Sequence, residues 1–383
     1  MTNYPINKDL WYLNQNIKYL NHGSFGATPK VIMDKFFELN LQLENNPMKF
    51  FLEDYPKLLH KSRLEISKYI NAKANRVAFV ENATTGVNAV LRSLQYKFSA
   101  DWEILTTDHY YMAIKNALNY QNEVTGCKIK AVELPDFVES SEQIIDLLVA
   151  NIGEKTKLLL IDHISSISGI IFPVKEIIEI FHQKGIPVLV DGAHAPGFLN
   201  LDIKELNPDW YVGNLHKWLF APKGTAILYC SDEYVNEIHP ASIANDYQKG
   251  FTAEFDWVGT RNICAWLTVP DCIKFHQEYF NYDYCRQLSL EVRDLFKTEL
   301  NLQALANKSL TGLMHSFYLP DKIGTSMKEM KELRAYFLNK HNIEIFINPF
   351  KGRVVLRFSV QIYNHIDEYI GLINSLKELL DNK

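Results

Sequence analysis

The sequence predicts an α/β protein: a mostly parallel sheet with helices on both faces, followed by a smaller α+β domain. Short apolar runs rich in β-branched residues alternate with helical patterns along the first part of the chain, as expected of parallel strands joined by helices. Several of these runs end in polar clusters, at the strand edge where open α/β sheets gather ligands. From about residue 265 the composition becomes more helical and more charged. A chain of 383 residues, 47% hydrophobic and 22% charged, can bury a large core and is long enough for two domains. Residues 19–260 are expected to form the large domain and 261–383 the small one, with 1–18 packing on the small domain.

Composition also removes whole classes of function. The formal net charge of -5 comes without long blocks of one sign, so no nucleic-acid footprint or membrane-binding basic face is expected. The five cysteines lack CxxC or Cys/His metal spacing and read as reduced thiols. The 12 histidines include no HExxH or paired-ligand spacing, so no metal site is expected. Residues 1–15 contain no apolar signal core, and no apolar run reaches membrane-spanning length. The expectation is a soluble, cytoplasmic protein that acts on a small molecule.

In chain order, residues 19–30 (YLNHGSFGATPK) form a polar loop leading into a helical pattern over 31–43. Residues 76–81 read as a strand, and Asn82-Ala83-Thr84-Thr85-Gly86 opens a helix with Val87, Val90, Leu91 and Leu94 on one face. Strand, polar turn and helix start make an anion site, because free backbone N–H groups and the helix dipole favour phosphate there. Thr84 and Thr85 could add hydroxyl donors, or a threonine could merely cap the helix. Residues 103–107 form the next strand, ending in Asp108-His109-Tyr110-Tyr111, and 157–161 another, ending in Asp162-His163-Ile164-Ser165-Ser166. A helix over 173–181 leads to the strand 186–190, which delivers Asp191 at its C-terminal end.

A further strand, 210–213, ends in Asn214-Leu215-His216-Lys217, and 224–229 returns as a strand. Lys217 stands among Trp218, Leu219, Phe220 and Pro222, where desolvation lowers an amine's pKa and favours the neutral nucleophile. Alone, Asp191 could be a helix cap and Lys217 a snorkelling surface residue. Together they are what pyridoxal phosphate requires: a lysine for its aldehyde, and a carboxylate that keeps its ring nitrogen protonated. Beyond residue 265, helical patterns near 271–278, 288–300 and 328–339 alternate with strands at 315–319, 343–347 and 354–359.

The motifs DGAHAPG and GNLHKWLFAPKG resemble the class V aminotransferase superfamily of fold type I, most closely its isopenicillin N epimerase-like branch, from about residue 19 onward. The resemblance implies a mostly parallel sheet of the seven-stranded type, and pyridoxal 5'-phosphate on Lys217 with Asp191 at its ring nitrogen. It makes His194, His163 and Ser166 cofactor contacts, and Thr84, Thr85, Asn214 and His216 the phosphate end. Either His109 or Tyr111 stacks on the ring, and the other could be a general acid or a packed core residue; Tyr111 is preferred. The family's substrate carboxylate ligand falls on Arg357, with Arg353 as the nearby competitor, and the loop residues Asn21 and His22 lie near the substrate. The segment 254–262 (EFDWVGTRN) resembles one that relatives supply across a homodimer, so Gly259 and Thr260 would reach the neighbouring subunit's phosphate and Arg261 could bind a substrate anion.

Removal of a Cα proton from an amino-acid substrate is common to several reactions in this superfamily. C–S lyase-type β-elimination on a cysteine conjugate or sulfoxide is preferred, because it needs only a leaving group on Cβ. Epimerisation, which needs a second acid such as Tyr111, Tyr110 or His109, and transamination are the alternatives. Cysteine desulfuration ranks lower, since no cysteine follows Cys285. A non-catalytic binding protein also ranks lower, because Lys217 is present.

Overall fold

The computed structural model describes residues 4–324 and 326–381. Its strands are β1 (Lys18–Tyr19), β2 (Val77–Val80), β3 (Glu103–Thr107), β4 (Lys128–Val132), β5 (Thr156–Asp162) and β6 (Val188–Asp191). β7 (Trp210–Asn214), β8 (Ala226–Cys230), β9 (Met314–Tyr318), β10 (Ile343–Glu344), β11 (Phe346–Phe350) and β12 (Arg353–Ser359) follow. Because successive side chains of a strand point to opposite faces, β5 sends Leu158 and Leu160 into one apolar cluster and Leu159 and Ile161 into the other. Both faces must therefore be covered, and helices such as Ala83–Leu94 and Val174–Gln183 cover them.

The main sheet has seven strands in the order β2-β8-β7-β6-β5-β3-β4. Every pairing is parallel except those of β8, which runs antiparallel to both β2 and β7. This is the mostly parallel sheet that the sequence predicts, with the reversed strand at 226–230. The C-terminal ends of β2, β3, β5, β6 and β7 therefore share one edge, and the segment between β7 and β8 loops back over it. Gly86 allows the helix after β2 to press onto the sheet: a Cβ there would lie 2.7 Å from Val212 Cγ1.

In the C-terminal part, β9, β12 and β11 form a three-stranded antiparallel sheet. The single strand expected at 343–347 breaks at Ile345, which is fully buried. Its first half, β10, pairs in parallel with β1 of the N-terminal segment, and its second half pairs with β12. The N-terminal segment also meets this region where the Ile6 N–H donates to the Ile362 carbonyl (2.9 Å). Among the described residues no helix is long and apolar enough to cross a membrane.

Candidate active site

Asp191 ends β6 near the middle of the sheet, with its Oδ1 accepting from the Ala193 N–H (3.0 Å). Its register partner on β5 is Asp162, so two buried carboxyls stand side by side on one face. Burial raises both pKa values, and the negative charge of Asp191 adds to the rise at Asp162, whose Oδ2 has no hydrogen-bond partner among the described residues. The pair therefore favours a proton on Asp162 and leaves Asp191 the stronger acid. Asp162 was not singled out from sequence, although it stands at a strand end just as Asp191 does.

Lys217 is only 9% exposed, and its Nζ lies 3.0 Å from His194 Nε2. Burial first, then the positive charge of Arg357, lowers its pKa to about 7, against the opposing pull of Asp191 and Asp162. His194 is itself held well below the usual imidazole range by burial and by the charge of Lys217. A neutral amine is thus available near neutrality, as a carbonyl-trapping lysine requires.

The turn expected to bind an anion is built differently from the expectation in one respect. The cap of helix Ala83–Leu94 is Asn82, not a threonine: Asn82 Oδ1 accepts from both the N–H (2.9 Å) and the hydroxyl (3.2 Å) of Thr85. Asn214 Oδ1 accepts from the Ala83 N–H (2.8 Å), tying the end of β7 to this helix start. Thr84 lies in the first turn of the same helix. His216 donates from Nδ1 to the Thr225 carbonyl (3.1 Å), and burial lowers its pKa to about 4.

Arg357 projects from β12 and is fully buried. Its Nη2 lies 3.2 Å from Asn21 Oδ1 and 3.1 Å from Ser24 Oγ, its Nη1 donates to the Ser166 carbonyl, and its guanidinium lies 4.2 Å from the centre of the Phe346 ring. The Nε has no hydrogen-bond partner among the described residues. The competitor Arg353 instead stacks over Tyr318 at 4.0 Å, at the rim. Asn21 and Ser166 are thus brought to Arg357, and Ser24 joins them without having been nominated.

His22 is fully buried, and both of its ring nitrogens are engaged within the protein. Its Nδ1 bonds the Tyr363 hydroxyl (2.9 Å) and its Nε2 the Lys217 carbonyl (3.0 Å), and burial lowers its pKa to about 3. Gly26, at φ 69°, lets the loop lie on the Lys217 backbone, since a Cβ there would come within 2.2 Å of the His216 carbonyl oxygen. His163 Nδ1 meets the Tyr211 hydroxyl (2.8 Å). His109 is buried, with Nδ1 2.9 Å from Ser168 Oγ and its ring edge-on to Phe350. Tyr111 is 47% exposed and lines a groove of about 800 Å³ with Lys115, Ser166 and Phe346. Thr260 is exposed, and Arg261 pairs with Glu81 and stacks 4.4 Å over Trp266, away from Arg357 within one chain. A second cavity, of about 870 Å³, is lined by His182 and Asp209 near the N-terminal ends of β6 and β7 and does not include Lys217.

The donor set fits pyridoxal phosphate. A desolvated lysine, a buried carboxylate, a capped helix start and a buried guanidinium with an unused N–H converge on one sheet edge. Such an edge defines a lysine-based cofactor enzyme of the α/β class. Residues 19–368 match the family model for aminotransferase class V, and the chain belongs to that family of pyridoxal-phosphate-dependent enzymes. It is 30% identical to isopenicillin N epimerase of Streptomyces clavuligerus, covering 96% of each chain. It is 29% identical to a probable chloroplastic L-cysteine desulfhydrase of Arabidopsis thaliana, covering 94% of this chain and 82% of the relative. Among solved structures, the fold matches an apo cysteine desulfurase of Thermococcus onnurineus (TM-score 0.80, 18% identity, 100% of both chains). It also matches a cystine C–S lyase in complex with its product cysteine persulfide (TM-score 0.81, 21% identity, 94% and 97% of the two chains).

Proposed function

We propose that the chain is a C–S lyase that carries out β-elimination on cysteine or an S-substituted cysteine, with Lys217 as the base. The observation that carries this reading is the contact between the Lys217 amine and the neutral imidazole of His194, beneath Arg357. Pyridoxal phosphate, when bound, supplies an electron-accepting ring that stabilises the charge left when Cα loses its proton. Asp191 would hold the ring nitrogen protonated. The start of helix Ala83–Leu94, with Thr84, Thr85, Asn214 and His216, would cradle the phosphate, and His163, Ser166 and His194 would line the ring. Arg357, with Asn21 and Ser24 beside it, would hold the substrate carboxylate, and Lys217 would take the Cα proton.

Elimination needs only this one base. It breaks the Cα–H and Cβ–S bonds, the sulfur leaves as a thiol with one proton, and the remaining enamine takes up one water to give pyruvate and ammonia. Epimerisation would need a second acid. Of its candidates, His109 is bonded to Ser168 and packed on Phe350, and Tyr111 is half exposed in the groove. The L-cysteine desulfhydrase names among the relatives support the lyase, and the isopenicillin N epimerase names keep epimerisation as the second reading. A desulfurase is disfavoured because all five cysteines are buried, and burial raises Cys264 to about 11 and Cys272 to about 12. These buried, unpaired thiols also suit a reducing compartment such as the cytoplasm.

A homodimer with a shared site is part of the proposal. Phe37, Leu41, Met48 and Leu52 are large apolar side chains exposed along residues 37–52, and exposed Thr260 is available to a neighbouring phosphate site. The reaction is tested by proton NMR of the cofactor-loaded protein in deuterated water, with L-cysteine, S-alkyl cysteines and their sulfoxides. Pyruvate and a released sulfur fragment are expected. Substrate that survives with Cα deuterated and its configuration mixed would instead establish epimerisation.

A further inference from the structure

The contact between Lys217 and His194 has a third member. His194 Nδ1 lies 3.4 Å from Nε1 of Trp218, the residue that follows the lysine. An indole N–H can only donate, so Nδ1 must accept. A neutral imidazole carries one proton, which then resides on Nε2, 3.0 Å from Lys217 Nζ. An amine can accept that proton only through its lone pair, and an ammonium group has none. We propose that Trp218 is a positioning residue that fixes His194 as the Nε2–H tautomer, so that the imidazole holds Lys217 in its neutral, nucleophilic form.

For Lys217 to become charged, His194 would have to move its proton to Nδ1, where it would face the indole N–H, donor against donor. The chain keeps the three groups in place. Trp218 is fully buried, with Phe198 at 4.7 Å and His22 at 5.2 Å between ring centroids. Gly197, at φ 82°, lets the turn after His194 press on the Trp218 backbone, where a Cβ would fall 2.5 Å from its carbonyl carbon. The other charged groups facing the lysine act in both directions: Arg357 disfavours the ammonium, whereas Asp191 and Asp162 favour it, and His216 faces His194. The lowered pKa of Lys217 agrees with the sum of these influences.

The proposal rests on Lys217 as the reacting amine of the proposed lyase, but it is tested without turnover. The cofactor-free full chain is acetylated with trace acetic anhydride across a range of pH, and Lys217 is followed by peptide mass spectrometry. Lys223, lowered to about 8 by desolvation and with its Nζ 3.4 Å from Thr28 Oγ1 rather than on a histidine, serves as the internal reference. The wild-type midpoint is expected near 7. Trp218→Phe should raise it by about one pH unit, roughly tenfold in the protonation equilibrium, with Lys223 unmoved. His194→Gln should keep it low, because the amide oxygen accepts from Trp218 while the amide nitrogen donates to Lys217. An unchanged midpoint in folded Trp218→Phe would overturn the proposal. Should that variant fail to fold, nitrogen-15 spectra of histidine-labelled wild-type chain decide, with His194→Gln assigning the signal: protonated Nε2 supports the proposal and protonated Nδ1 refutes it. Failure of the wild-type chain to take up pyridoxal phosphate would sink the lyase reading separately and leave the tautomer result standing.

Discussion

Lys217→Ala is expected to lose the visible absorbance of the bound cofactor and to lower turnover by about a thousandfold or more, since nucleophile and base are removed together. The fold should survive. The amine makes one side-chain contact, with His194, and its burial costs stability rather than adding to it. Circular dichroism and the denaturant midpoint should therefore match wild type. A variant that kept its absorbance and turnover would remove Lys217 from the reaction. One that unfolded would show that the amine is structural.

Arg357→Met should have the next largest effect, and on a different parameter. The guanidinium stands at the junction of Asn21, Ser24, Ser166 and Phe346, and a thioether donates to none of them, although Ser24 Oγ keeps its own bond to Asn21 Oδ1 (2.6 Å). Loss of a buried two-pronged clamp should lower kcat/KM for an α-amino acid by about 10²–10³-fold, or about 3–4 kcal/mol, chiefly through KM. The matching amine, which lacks the carboxylate, should be affected far less. Arg357→Lys should recover little, because a point charge cannot fork. Removing the charge also removes one cause of the lowered Lys217 pKa, so the acetylation midpoint of Lys217 should move upward. Equal losses for acid and amine would mean that Arg357 supports the fold rather than the substrate.

Much of the site was legible because its signals are local. Asp191 and Lys217 each follow an apolar run at a strand end, and Asn82 to Gly86 mark a helix start, so short windows place them on one sheet edge. β4 was not: its sequence KIKAV alternates charge with apolar residues because it is an edge strand, half exposed, and gives a weak apolar signal. The strand expected at 343–347 splits because its two halves pair with different strands, and no local pattern records that choice. His22 looked like a substrate contact within its loop, yet its partners are Tyr363 and the Lys217 carbonyl, far along the chain. Arg261 was nominated from a motif, whereas its position is governed by Glu81 and Trp266. Trp218 looked like apolar packing beside the lysine, and only the folded chain brings its indole N–H to His194. Local chemistry names the groups, and long-range packing decides what each one faces.

The most direct test is chemical. The chain is loaded with pyridoxal phosphate, reduced with borohydride to fix the linkage, digested, and searched by mass spectrometry for the phosphopyridoxyl group. The mass should fall on the peptide containing Lys217, in one equivalent per chain. Label on Lys223, the other lysine of lowered pKa in the same segment, or spread over surface lysines with none on Lys217, would contradict an active site built on Lys217 and Asp191.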